Sequence, residues 1–330
     1  MIKKQKTIPP SKVKKILAIR NDKIGDLVLT SNIITMLRKT YPEAKIDMVV
    51  SNENKQLVEK NKSLNKLIVL PYCPRTLSDF WKYFLFSRKI KKRKYDLGVA
   101  MRGSFFNILF LLFLGKVKYR IGFYTNSLTK LFLNRYHFKD FKGHASYSTV
   151  DMINHGLGTN FKRVWPEIVT DKEDEKKLKE FMKKNKMKKW ISIVVDASKK
   201  SKQWPLKNFD EIIKHLEKKY PKYKILLIAG DKENVEALRK KNPGCIPAVK
   251  ENLRLVYLLL KNSDLVIAPD GGVFHMAWTA KANLVGLVPP SYTSFEDTRP
   301  LTENSEVFFK EISEITTGDI KKAIKKFLGS

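Results

Sequence analysis

Short apolar runs recur along the chain, each ended by a polar turn and followed by an amphipathic stretch. "KKILAIR" (14–20) reads as a strand. After it Leu29, Ile33, Met36 and Leu37 fall on one side of a helix. "AKIDMVV" (44–50), "NKLIVL" (65–70) and "YDLGVAM" (95–101) continue the strand series, and "KVKYRIGF" (116–123) is expected to close it. Residues 156–174 carry Gly, Pro and mixed polarity and read as a linker. A charged helix (175–189) follows. A second series then runs through "WISIVVD" (190–196), "KILLIAG" (224–230), "DLVIAPD" (264–270) and "NLVGLV" (283–288), with helical stretches between. Strands alternating with helices imply parallel sheets. The expected architecture is α/β, with two doubly wound domains over 1–165 and 166–330. Ligands in such domains gather beyond the carboxyl ends of the strands.

Composition changes this picture in two places. Lys and Arg number 65 against 33 Asp and Glu, a formal net charge of +32. That surplus suits a polyanion, an anionic membrane face or a phosphorylated substrate, or a solvated lysine-rich surface. Nucleic-acid binding is motivated by charge alone, since no recognisable reading motif accompanies it. The two cysteines, Cys73 and Cys245, make neither a metal-type spacing nor a disulfide framework and fit a reducing cytoplasm. The basic N-terminus is not followed by the apolar run of a signal peptide. "FFNILFLLFLG" (105–115) is too short to span a bilayer, which needs about 20 residues. It reads as a buried helix, or as one whose exposed side touches a membrane.

Candidate chemistry sits at the strand ends. Asp26 follows Ile24-Gly25 where a helix begins, and reads either as a helix cap or as a carboxylate able to take a proton from a hydroxyl. Gly25 offers close backbone approach or positive φ. "DASKKSKQWP" (196–205) supplies Ser198, Ser201 and Lys202 for phosphate oxygens, or is a solvated loop. Trp204-Pro205 would order that turn. Glu233 lies just past a strand, placed to cap a helix or accept from ribose hydroxyls. In "APDGGVFHMAWTA" (268–280), Asp270 ends a strand, and Gly271 and Gly272 bare a helix start that suits an anion. His275 lies one turn further on, packed or ligand-binding.

Together these segments resemble glycosyltransferase family 9, the heptosyltransferases of lipopolysaccharide core assembly. "RNDKIGDLVLTSNIITMLRKTYPEAKIDMVV" is similar to the family's R-x-D/G-x-I-G-D-x-V-x-T-x-P pattern and the helix after it. "MRGSFFN", "YRIGF", the K-x-W-P loop in "KQWPLKNFDEI" and "DGGVFHMAWTAKANLVGL" follow in order. The resemblance implies a GT-B fold, two Rossmann-like domains facing across a cleft, with acceptor on the first and nucleotide sugar on the second. It implies inverting transfer with neither metal nor cofactor. Asp26 would be the general base, and Lys202 would contact the donor diphosphate. Glu233 would serve the ribose end, and Asp270, Gly272 and His275 would line the donor pocket beside Ser198 and Gly271. Basic residues of the N-terminal matching stretches, Arg20, Lys23, Arg102 and Arg120, are acceptor-side candidates. The implied donor is ADP-heptose and the acceptor a Kdo or heptose residue of the inner core, at the cytoplasmic face of the inner membrane. The run "SRKIKKRK" (87–94) with the aromatics of 80–86 would form a membrane-facing patch, or an ordinary amphipathic helix.

Three positions depart from the family pattern: Asn32 replaces a proline, Gly271 a Thr or Ser, and "GLVPPSY" (286–292) the family's L-F-G-P-T/S. They leave open a same-fold transferase using another nucleotide sugar for a different surface glycan, or a non-catalytic glycan- or membrane-binding protein.

Overall fold

The computed structural model describes residues 5–102, 104–124, 126–138, 143–197, 199–290 and 295–329. Contacts divide the chain into two units, 1–167 and 168–330.

The first unit runs β1 (Lys15–Ile19), α1 (Ile24–Thr30), α2 (Asn32–Thr40), β2 (Lys45–Val50), β3 (Lys66–Val69), α3 (Leu77–Arg93) and β4 (Leu97–Ala100). A π-helical segment (Asn107–Phe113), β5 (Tyr119–Tyr124), α4 (Ser127–Phe132), β6 (Arg135–Phe138) and α5 (Ala145–Leu157) complete it. Its parallel sheet has the order β3-β2-β1-β4-β5-β6.

The second unit runs α6 (Lys172–Lys184), β7 (Trp190–Val194), α7 (Leu206–Lys219), β8 (Lys224–Ala229), α8 (Glu233–Lys241), β9 (Ile246–Val249) and α9 (Leu253–Lys261). It continues through β10 (Leu265–Pro269), α10 (Gly272–Thr279), β11 (Leu284–Val288), α11 (Phe295–Thr298), β12 (Ser305–Phe309) and α12 (Thr317–Leu328). Its parallel sheet is ordered β12-β11-β10-β7-β8-β9, the first unit's connectivity repeated. In both, strand order reverses between the first and fourth strands of the unit. The loops leaving those two strands therefore diverge and open a crevice.

The central strands are apolar throughout because helices cover both sheet faces: every residue of β4, β7, β10 and β11 is buried. The first series does not close at β5 as the sequence suggested; β6 pairs beyond it. β9 and β12 were likewise unanticipated. The 105–115 stretch is largely buried, with Ile108, Phe110, Leu111 and Leu112 in the core, but Phe113 and Leu114 are exposed. Gly158 ends α5 at φ +72, where a Cβ would lie 2.6 Å from the Gln5 carbonyl oxygen, so a side chain there meets backbone as well as strain. The closing helix α12 packs on α7 of the second unit and against β10 and β11. No helix among the described residues is long and apolar enough to cross a membrane.

Candidate active site

Asp26 does not cap α1. The N-cap is Lys23, with no side-chain cap bond, and Asp26 lies inside the first turn. Gly25 is helical and buried; it is not among the left-handed glycines. The Asp26 carboxylate turns instead to two arginines. Its Oδ1 lies 3.2 Å from an Arg20 guanidinium nitrogen, and its Oδ2 accepts from Arg102 at 3.4 Å. Arg20 follows β1 and Arg102 follows β4, the two strands at the first unit's reversal point. The Asp26 side chain keeps 28% of its surface open to solvent, while Arg20 is buried.

A second carboxylate shares the same arginines. Asp22 lies 3.0 Å from Arg20 Nε and 3.2 Å from Arg102. Arg20 Nε–H nevertheless donates to the Asp26 carbonyl at 3.1 Å, so buried Asp22 Oδ1 accepts no hydrogen bond from the described residues. Burial pushes the Asp22 carboxyl above its ordinary range; the arginines pull it down and Asp26 pushes it up. The sequence reading passed over Asp22. Its signal was the i, i+4 spacing of two acids across a helix start beside an arginine.

The turn carrying these groups is fixed from beneath. Asn54 donates to the carbonyls of Arg20 and Asp22, each at 3.1 Å. Asn21 donates to the Pro71 carbonyl at 2.7 Å and accepts from Asn107 at 2.8 Å, and Tyr83 donates to Asn107 at 3.0 Å. Such bonds hold a site in one geometry. Asn32 occupies the first position of α2, where proline fits because that N–H has no helical partner. Its amide instead donates to the Val164 carbonyl at 2.7 Å.

Beside the cluster lies a cavity of about 660 Å³, lined by Asp22, Lys23, Tyr72, Arg75, Lys82 and Arg102 among others. Arg120 is elsewhere. It sits near the amino end of β5, opposite Gly98, and so at the other end of the sheet from Asp26. There its guanidinium donates to the Phe132 and Val117 carbonyls.

In the second unit, side chains from the loops after β7 and β10 meet across the corresponding crevice. Lys202, nine-tenths buried, donates to Asp270 Oδ2. Trp204 holds the lysine turn: its ring is fully buried and its Nε1–H donates to the Ile315 carbonyl at 2.9 Å. Trp278 donates to His275 Nδ1 at 3.1 Å, which leaves the ring proton on Nε2, 3.9 Å from Asp270 Oδ1. Gly271 is extended, with open space where a Cβ would stand. α10 begins at Gly272 with no side-chain cap, so its first N–H groups are available to an anion. α10 lies so near β11 that a Cβ on Gly286 would come within 2.6 Å of Phe274.

Glu233 is exposed at the first position of α8; Asp231, not Glu233, accepts the backbone N–H of that turn, at 3.1 Å. Asp196, unremarked in the sequence as a site residue, lies at the start of the loop after β7 and accepts from Gly230 N–H at 2.5 Å, bridging the loops after β7 and β8. Burial raises its carboxyl above the ordinary range against the pull of those backbone N–H groups. Ser198 and the 291–292 end of the proline loop lie outside the described residues. Among the described residues, no three His, Cys, Asp or Glu side chains gather as ligands for a metal ion.

The reversal point of the first unit holds a solvent-reaching carboxylate, and that of the second holds a buried lysine beside an uncapped helix. The profile of Glycosyltransferase family 9 (heptosyltransferase) matches residues 84–327. The chain belongs to glycosyltransferase family 9. It is 25% identical over 348 residues to "Lipopolysaccharide heptosyltransferase 1" of Campylobacter coli, covering 96% of this chain and 99% of that protein. A family 9 glycosyl transferase from Veillonella parvula shares the fold at a TM-score of 0.81 and 19% identity, over 96% of this chain and 97% of that one. E. coli heptosyltransferase WaaC, solved with ADP-2-deoxy-2-fluoro heptose, aligns at 0.76 and 18% identity, over 94% of this chain and 99% of that one. The two Rossmann-like units of this transferase are those of the GT-B fold. As a family 9 member it is a glycosyltransferase enzyme.

Proposed function

We propose that this glycosyltransferase moves a heptose from ADP-heptose to a Kdo or heptose residue of the lipopolysaccharide inner core, with inversion and without a metal ion. The observation that carries the transferred sugar and the pathway is the end-to-end similarity to the Campylobacter coli heptosyltransferase. The side chains support the chemistry.

Asp26 is the general base. Its carboxylate reaches solvent, is not spent on a helix cap, and is aimed by two guanidiniums. It takes the proton of the acceptor hydroxyl as that oxygen attacks the anomeric carbon. The bond from the anomeric carbon to the diphosphate oxygen breaks, and ADP departs with the electron pair. The second unit offsets the charge on the departing diphosphate. Lys202 and the open N–H groups of α10 supply positive potential, and Asp270 with His275 faces the sugar. Lys202 exchanges part of its pairing with Asp270 for phosphate oxygen when the donor binds. Glu233 is assigned by family pattern to the nucleoside end. On the acceptor side, Lys23 and Arg102 line the 660 Å³ cavity and suit an anionic sugar. The enzyme works at the cytoplasmic face of the inner membrane.

The test is turnover of purified enzyme with a panel of ADP- and UDP-sugars and a Kdo–lipid A acceptor, followed by mass spectrometry. The expected product gains one heptose, from ADP-heptose only, with undiminished rate in a chelator. Transfer from another nucleotide sugar overturns the donor, chelator-sensitive transfer overturns metal independence, and absence of any transfer favours a binding protein.

A further inference from the structure

Helix α3 has two apolar faces. Tyr83 and Ile90 point into the core of the first unit. Leu77, Phe80, Trp81, Phe84 and Leu85 recur at the same helical spacing on another side and are all exposed, Leu77 by 84% and Trp81 by 61%. The stripe does not end there. One turn further along, the same side carries Arg88, then Lys91 and Lys92, all exposed. The acidic residue of the helix is Asp79 alone.

Two neighbours extend the face. The π-helical segment packs on α3, joined through the Phe80–Phe110 edge contact at 5.1 Å, and ends in exposed Phe113 and Leu114. α4 packs beside it through Phe113–Phe132 at 4.9 Å and exposes Leu128 and Leu131. Elsewhere among the described residues, the exposed large apolar side chains are Val69, Val169 and Phe309. A basin of about 670 Å³ lies at the edge of the face, where Phe113 and Leu114 meet Lys91, Lys116, Lys118 and Arg120.

We propose that this face docks the first unit on a bilayer rich in anionic lipid. The apolar stripe enters the headgroup boundary while the lysines and arginines at its rim engage lipid phosphates. Clustered exposed aromatics mark an interaction surface rather than scattered surface apolars. The charge pattern selects the occupant. A second copy meeting this face by two-fold symmetry would set the same net-positive patch against itself. Nucleic acid can stack bases on the aromatics but would leave Leu77, Leu85, Leu128 and Leu131 covered by no apolar partner. A negatively charged lipid surface satisfies both halves. The inference goes beyond the transfer reaction and does not depend on which sugar is moved.

The test uses the full chain with vesicles of phosphatidylcholine, alone or with phosphatidylglycerol. Trp81 is the one exposed tryptophan, since Trp190, Trp204 and Trp278 are buried and Trp165 is half-buried. A blue shift of its fluorescence therefore reports insertion of this face. Binding to anionic vesicles is expected to exceed that to neutral ones by at least about tenfold and to weaken with salt. The triple variant Trp81→Ser, Phe84→Ser, Leu85→Ser should lose at least about tenfold in vesicle affinity. Lys91→Glu with Lys92→Glu should lose affinity for anionic vesicles only. These exposed substitutions leave the melting temperature unchanged, and both variants keep turnover on a water-soluble acceptor fragment, so loss of docking and loss of transfer read separately. Wild-type protein that ignores anionic vesicles, or variants that bind them equally well, would overturn the proposal. So would a triple variant whose only change is from dimer to monomer in sedimentation, which would assign the face to a second copy.

Discussion

Asp22 and Asp26, one helical turn apart, share both Arg20 and Arg102. Neither carboxylate owns a guanidinium. The two positive charges that hold Asp26 in place are therefore divided with a second acid.

Replacing the base tests the first half of the proposed chemistry. Asp26→Asn keeps the shape of the side chain and loses the acceptor for the proton. The expected fall in kcat is about 10²- to 10⁴-fold, with donor affinity unchanged by calorimetry. Near-normal turnover in this variant would remove Asp26 from the mechanism.

Asp22→Asn tests the sharing. Both arginines then pair with Asp26 alone and hold its carboxylate more tightly. Turnover should fall by about tenfold, with donor affinity unchanged by calorimetry. Turnover equal to wild type would mean that Asp22 does not influence the base.

The same substitution has a signature in stability. The Asp22 carboxyl is raised in the folded protein, so the folded state holds its proton more tightly than the unfolded chain. Its contribution is fully present below the ordinary carboxylate range, near about pH 4, and is lost as pH rises through the folded pKa. Melting temperatures measured across that window should fall less steeply with rising pH in Asp22→Asn than in wild type. Parallel curves would contradict the raised carboxyl.

Lys202 and Asp270 form a buried pair, each side chain 11% exposed. Lys202→Met strands the aspartate and should cost about 3–5 kcal/mol in denaturant unfolding. Adding Asp270→Leu should restore most of that stability while donor binding stays lost. Recovery of donor affinity in the double variant would show that neither charge is needed for the diphosphate.

Helix α12 offers a control away from the site. Asp319 accepts from Lys310 and from Thr316 N–H, which hold its carboxyl down to about 2. Its stabilising effect is present above the ordinary carboxylate range and is lost as pH falls through about 2. Asp319→Ala should cost about 1 kcal/mol at neutral pH and progressively less in acid, measured by thermal unfolding.

How far the chain could be read in advance follows the burial of its parts. β1, β4, β7, β10 and β11 announced themselves because helices cover them on both faces, which demands continuous apolar runs. β6, β9 and β12 went unseen, and each lies at a sheet edge. An edge strand has one neighbour and partial exposure, as in β12, where no residue is fully buried, so its sequence need not be apolar.

The sequence by itself determined the alternation of elements, the family, and the strand-end positions of Asp26, Lys202 and Asp270, because local periodicity and spacing survive in one dimension. Only the tertiary structure decided what those groups do to one another. It turned Asp26 from helix cap to arginine partner, brought Arg102 across from β4 while leaving Arg120 at the far end of its strand, and drew Asp22 into the cluster. It also left one side of α3 largely exposed. Such outcomes depend on which strands become neighbours and which helix faces find a core, and separation along the chain carries no record of either.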